Sequence, residues 1–401
     1  MKKTKHSPGQ KAAPAEERDD VLSDRLVALA LDLRESNVYA VLPDALKKAQ
    51  SELRRTIRKC LQQQREQALD EALERSWEED ADAYRVLRTE VEELSGTILF
   101  RRDDGPDQEI NAFLVPIFVH TTGGLRSEQD FQDEQAFEQL RDSFQEGGLE
   151  SRKANVVLVS HAYHLDEIEH IGYCQLNEMV QEAHDAMTRK KATAADAIGR
   201  SMQGWPEPHF GPQDSAMELR FLLGFALKSM DDPFYHVPEK EAAADRYFAA
   251  RAERFRKWAQ QVQPLLRRSL VTDGREVQID FLYQDLFHGG KEAAVAELEM
   301  LRVLSEVQHA LEAHGSAPGD VKAIIGPTED DDGTVVRASL HAKAGEAIGA
   351  IDKLVSRIDS VENAVADLAD ALAGIGISDL SITRHFDSEG VPAAVRPYSP
   401  R

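Results

Sequence analysis

The densest group of titratable side chains lies in "SHAYHLDEIEHIGYC", which carries His161, His164, Asp166, Glu167, Glu169 and His170. Imidazoles and carboxylates are ordinary zinc ligands and also the usual partners in general acid–base work. The segment follows the apolar run "NVVLVS" at 155–160, and α/β sheets place their sites just beyond the ends of such strands. Asp166 and His170 stand four apart and share a face if the segment is helical. A metal-dependent reading takes His161, His164, Asp166 and His170 as ligands. The spacing does not match His-Glu-x-x-His, and no cysteine supplements it. The bland reading is a solvated loop or a helix cap.

A second candidate is "FLYQDLFHGGKEAAVAELEML", a strand running through His-Gly-Gly-Lys into a helix. A phosphate loop of the G-x-x-x-x-G-K-[ST] type needs a glycine where Asp285 stands and a hydroxyl where Glu292 stands. A helix N-terminus still offers free N–H groups to an anion, so an anion or nucleotide site here would use His288, Gly289, Gly290 and Lys291. Gly123 and Gly124 also end a strand and open a helix, and would be a second anion site. The distance to the next strand is equal in both places, from 124 to 155 and from 290 to 321. That equality suggests an internal duplication of one α/β module. The glycines would then supply the positive φ of a sharp turn.

"TEDDDG" is not a calcium loop. An EF-hand aligned on Gly333 would start at Thr328 and end at Ser339, where carboxylates are required. An acidic hairpin turn with Asp332-Gly333 at its tip is expected. No G-x-S-x-G or G-x-G-x-x-G pattern occurs. The cofactor, if there is one, is not legible.

These candidates sit in a chain of 401 residues with 71 acidic and 48 basic side chains, a net charge of -23. That excess opposes general nucleic-acid binding, which needs a basic face, and favours solubility over a membrane surface. The start "MKKTKHSPGQKAAPAEERDD" has lysines but no apolar stretch behind them, so no secretory signal is read. No apolar run is long enough to span a membrane. Cys60 and Cys174 fit reduced, packed thiols. A bacterial-type cytoplasm is expected, and a signal-less secreted effector would look the same.

The elements that must position these groups can be read in outline. Residues 1–20 read as a disordered arm and 21–93 as a helical segment. Leu22, Leu26, Leu29 and Leu33 form one stripe, and Leu46, Leu53, Ile57, Leu61, Leu69 and Leu73 lie on a second, longer helix. A first, degenerate α/β module covers 94–230, with a linker at about 190–216; Pro116 places its second strand at an edge or a bulge. A connecting helix spans 239–270. Residues 275–385 read as β-α-β-β-α-β, the ferredoxin-like plan, and 386–401 as an unstructured tail. The fold class is therefore α+β, a helical segment followed by two related ferredoxin-like sandwich modules.

Ile351, Leu354, Ile358, Val361, Val365, Leu368, Leu372 and Ile375 recur at three- and four-residue steps. That spacing predicts a helix over about 342–373 with a seam-like face. Its flanks are mostly apolar, which suits packing on a sheet or self-association. With long polar helices and no complete catalytic constellation, the sequence points to a non-enzymatic scaffold or adaptor that binds itself or a protein partner. The anion-binding and metal-dependent readings are the alternatives.

Overall fold

The computed structural model describes residues 18–36, 41–103, 105–121, 131, 133–189, 217–270, 277–282, 286–330, 333–357 and 359–399. The Gly123-Gly124 pair and the 190–216 linker lie outside them. The protein is α+β, and it divides into two compact units, residues 1–98 with 171–181, and residues 99–170 with 182–401.

The first unit is helical. Helices α1 (Asp19–Leu33), α2 (Asp44–Gln62), α3 (Glu66–Glu79) and α4 (Ala81–Gly96) pack their leucine stripes on one another. The single long helix expected through Leu73 is two helices instead. Gln64, at φ 54°, turns the chain between α2 and α3 with neither glycine nor proline. The narrow stripe of each helix is therefore satisfied internally: Leu53, Ile57 and Leu69 are fully buried. Asp80 starts α4 by accepting from the N–H groups of Asp82 and Ala83, which quiets two of the donors a helix start leaves open.

The second unit is built on two sheets. The first has β1 (Thr97–Phe100), β2 (Gln108–Thr121), β3 (Asn155–Tyr163), β4 (Met217–Ser229) and β5 (Val277–Phe281) in the order β1-β2-β4-β3, with β5 on β2. β4 runs antiparallel to both β2 and β3. Its residues Leu219–Leu227 are buried throughout, as a continuous apolar strand covered on both faces should be. Pro116 lies inside β2, opposite Phe221 of β4, just before pairing with β5 begins at Ile117. The strand is not an edge.

On one face, α5 (Glu134–Glu146) and α8 (Glu241–Leu270) pack around Trp258, which contacts Phe144, Phe255 and Phe281 and donates its indole N–H to Ser143 Oγ at 2.7 Å. The same chain stretch also contains α6 (Leu165–Glu169) and α7 (Tyr173–Arg189).

The 28-residue helix α9 (Phe287–His314) joins the two sheets. Its first turn lies on β2, while Val303, Val307 and Leu311 enter the core of the second sheet. That sheet holds β6 (Val321–Asp330), β7 (Gly333–Ala342), β8 (Ala347–Leu354) and β9 (Asp379–Ile382), with α10 (Val361–Gly374) on the same side as α9. β6 and β9 run parallel, as a crossover through α10 requires.

This layout corrects several expectations. β5, read as the opening strand of a C-terminal ferredoxin-like module, belongs to the first sheet. Residues 347–354 are a strand, so the seam over 344–375 is not one helix; only its half from Val361 is helical, opened by Ser360, whose hydroxyl accepts from the Asn363 N–H. The second sheet runs β12 (Arg396–Pro397), β9, β6, β7, β8, an order unlike that of the first, so the strand order lends no support to the duplication that the equal Gly-Gly spacing suggested. Residues 386–399, read as an unstructured tail, are structured. β10 (His385–Phe386) pairs with β11 (Pro392–Ala393), and β12 (Arg396–Pro397) pairs with β9.

Candidate functional site

The histidine cluster is assembled by an irregularity in β3. Between Leu158 and Ala162 the register against β4 slips, three residues on β3 facing one, Leu223, on β4. Such a bulge bends the strand and re-aims its side chains. It turns His161 toward α6, where its Nε2 lies 3.1 Å from Glu167 Oε1. Glu167 stands three residues into the helix and reaches back, Oε2 accepting from the backbone N–H of His164 at 2.8 Å. This is a capping box, built with a histidine at the cap. His164 itself is buried.

Arg220 on β4 completes the group. It is 3 % exposed, donates to Glu218 Oε2 from Nε and Nη2 at 3.0 and 2.8 Å, and reaches the Ala162 carbonyl from Nη1 at 3.3 Å. An arginine this deep keeps its charge only with partners to replace water. Burial lowers its pKa and the Glu218 carboxylate works against that. Burial also pushes His164 down to about 4, helped by the positive charge of Arg220. For Glu167 burial acts upward, but the bonds from His161 and the His164 N–H outweigh it and hold the carboxyl below its ordinary range. The result is a neutral His164 between an ionised Glu167 and a cationic Arg220.

Of the predicted metal set, His161 and His164 meet here through Glu167. Asp166 and His170 do not join them. Both are exposed, and His170 Nδ1 bonds to the Asp166 backbone carbonyl in the last turn of α6. Among the described residues no three histidine, cysteine or carboxylate side chains converge as a ligand set. The sequence reading passed over Glu167 as a cap and missed Arg220 altogether. Both left a signal: Glu167 is three residues after His164, and Arg220 is the charge that interrupts "MELRFLLGFAL".

The His-Gly-Gly-Lys segment does different work from the one expected. Residues His288, Gly289, Gly290 and Lys291 already belong to the first turn of α9, which opens at Phe287. Neither glycine has a positive φ. Gly290 is instead a contact point: a Cβ there would stand 2.8 Å from both Cβ and O of Leu114. Its N–H bonds to the Leu286 carbonyl at 3.0 Å, and His288 is buried beside it. The pair lets the helix lie close on β2.

Two further polar groups were not foreseen. At the opposite end of β4, Ser151 Oγ donates to Asp232 Oδ2 at 2.6 Å, and the Tyr235 hydroxyl donates to Glu150 Oε2 at 2.7 Å while its ring lies under Lys228 Nζ. Beside it is an open cleft of about 550 Å³ lined by Asp142, Gln145, Glu146 and Arg152. In the helical unit, Glu66 caps α7, accepting from the N–H groups of Tyr173 and Cys174 at 2.6 and 2.7 Å. Cys60 and Cys174 are both buried and outside any disulfide, and burial, with Glu66 nearby, pushes the Cys174 thiol well up. A thiol in that state is inert.

A family profile described as "Protein of unknown function (DUF2863)" matches residues 11–398. The chain belongs to that family. No curated protein and no solved structure matches it.

Proposed function

We propose that this protein is a non-enzymatic assembly or adaptor protein that associates with itself, in the cytoplasm of a bacterial-type cell. The observation that carries the reading is the use of its charged side chains. Glu167 caps α6 and holds His161; Glu218 neutralises Arg220; Glu66 caps α7; Asp232 and Glu150 tie loops to the sheet end. Each of these groups, the ones whose chemistry would suit catalysis, is committed to holding an element in place. What faces solvent is long polar helix, above all α8, whose inner side is core and whose outer side is charged. No helix among the described residues is long and apolar enough to cross a membrane.

Light scattering on the untagged protein, together with a pull-down from its native cells, tests the reading. A defined oligomer or a defined protein partner is expected. A strict monomer that captures no partner contradicts it.

A further inference from the structure

We infer that the solvent face of α8 is a docking surface for the acidic face of α3 from a second copy of this chain. The inference rests on the self-association proposed above and specifies its contact.

The charge of α8 runs against that of the chain. Residues 241–270 hold seven basic side chains and three acidic ones, a net of 7 − 3 = +4, in a protein of net charge -23. The basic residues are not spread evenly. Phe255, Trp258, Val262 and Leu266 define the buried side, and at 3.6 residues per turn the opposite side carries Arg246, Arg256, Lys257, Arg267 and Arg268, all exposed, with Glu253 as its one carboxylate. Arg256 and Lys257 share that carboxylate at 2.8 and 3.5 Å. Arg268 also lies 4.0 Å from Asp133, while along the rest of the stripe Arg246, Arg256 and Lys257 outnumber Glu253 and leave it positive. Ala249 and Ala250 are exposed within it, and small residues there let a second helix approach to the short end of the usual 8–10 Å interaxial range.

Helix α3 has the complementary character. It holds six acidic side chains and one basic one, a net of 1 − 6 = -5. Its inner side is Ala68, Leu69, Ala72 and Ser76. Its outer side carries Asp70, Glu74 and Glu78 at successive i, i+4 positions, with Glu71 beside them. Like charges at that spacing disfavour a helix, and a cationic partner removes the repulsion. Partial burial and the neighbouring carboxylates of Glu66 and Glu74 already raise the Asp70 pKa. The dimensions agree: at about 1.5 Å per residue, the row from 70 to 78 spans roughly 12 Å and the stretch from Arg246 to Lys257 roughly 16 Å. Since α3 and α8 are different surfaces, the contact is heterologous, and repetition gives a ring or a filament.

Charge reversal and exchange tests this. One variant carries Arg246→Glu with Lys257→Glu, the other Glu74→Lys with Glu78→Lys; all four side chains are exposed, so circular dichroism and the thermal midpoint should match the wild type. Sedimentation velocity on the full-length chains should show association weakened at least about tenfold in each variant alone, and restored when the two are mixed, because the altered faces again attract. Raising the salt should dissociate the wild type, since exposed charges are screened beyond about 10 Å at 0.1 M. Association unchanged by both reversals, or no recovery on mixing, overturns the contact while leaving self-association standing. A wild type that stays monomeric overturns both, and binding of a single-stranded oligonucleotide by that monomer, lost in the α8 variant, would assign the stripe to nucleic acid.

Discussion

Gly290 and Leu114 stand back to back: a single methyl group added to the glycine would come within 2.8 Å of the Leu114 Cβ and carbonyl oxygen. The helix α9 therefore rests on β2 with almost no side chain between them at this point. Because the obstructing atoms include backbone, they cannot swing aside. Gly290→Ala should destabilise the protein by about 1–3 kcal/mol, the usual range for overpacking, read as a lower urea midpoint. Inorganic phosphate should leave the midpoint of wild type and variant alike unmoved. A phosphate-dependent rise that the substitution abolishes would restore the anion-binding reading.

Stability should fall on mild acidification because of His164. Its folded pKa, pushed down to about 4 chiefly by burial and then by Arg220, lies below the ~6.5 of an unfolded histidine. Between those values the unfolded chain binds the extra proton, so stability rises with pH. The contribution is complete above about pH 6.5 and lost progressively toward pH 4. Its size is on the order of 1–3 kcal/mol. Urea titrations at pH 7 and pH 5 should show a smaller loss in His164→Asn than in wild type. Equal losses in the two proteins would place the pH dependence elsewhere.

In the helical unit, Glu66 accepts two backbone N–H bonds at the start of α7. Glu66→Ala leaves those donors without their carboxylate and should cost about 1–3 kcal/mol. The loosened helix start should also expose Cys174. In the native wild type both cysteines should resist a thiol reagent such as dithionitrobenzoate; in Glu66→Ala one thiol should react measurably faster. Immediate reaction of both thiols in the native wild type contradicts the buried, high-pKa environment.

The C-terminal residues should be needed for the fold of the second sheet. Phe386 is buried, Thr383 Oγ1 donates to the Ala393 carbonyl across the β10–β11 pair, and the Tyr398 hydroxyl donates to Asp370 Oδ1 at 2.8 Å. Phe386→Ala should destabilise by about 3 kcal/mol. Removal of 385–401 should make the sheet open to proteolysis. A truncated chain as resistant as the full one would return these residues to the status of a loose tail.

What the sequence revealed and what it hid divide along physical lines. Strong, long patterns were legible: the α1 stripe, the apolar run at 155–160 and the helix at 239–270 all occupy the elements they predict. β8 was read as helix because two of its three inward positions are Gly349 and Lys353, which conceal the two-residue period, while Ile351 and Leu354 continue the spacing of the helix beyond. The turn at Gln64 carried no glycine or proline to announce it. Two-residue strands such as β10 and β12 are too short to have a period at all. In the histidine cluster the residue types were visible, but the bulge that aims His161 at Glu167 depends on pairing with β4, more than fifty residues away. Arg220 was hidden by the apolar strand around it.

The most direct test of the assembly reading is native mass spectrometry of the untagged protein purified gently from its own cells, since it weighs the oligomer and any retained ligand together. The account predicts a whole-number multiple of the chain mass with nothing added. A monomer carrying a metal-sized or nucleotide-sized increment would contradict it, and His161, Glu167 and His164 would then be the first side chains to replace.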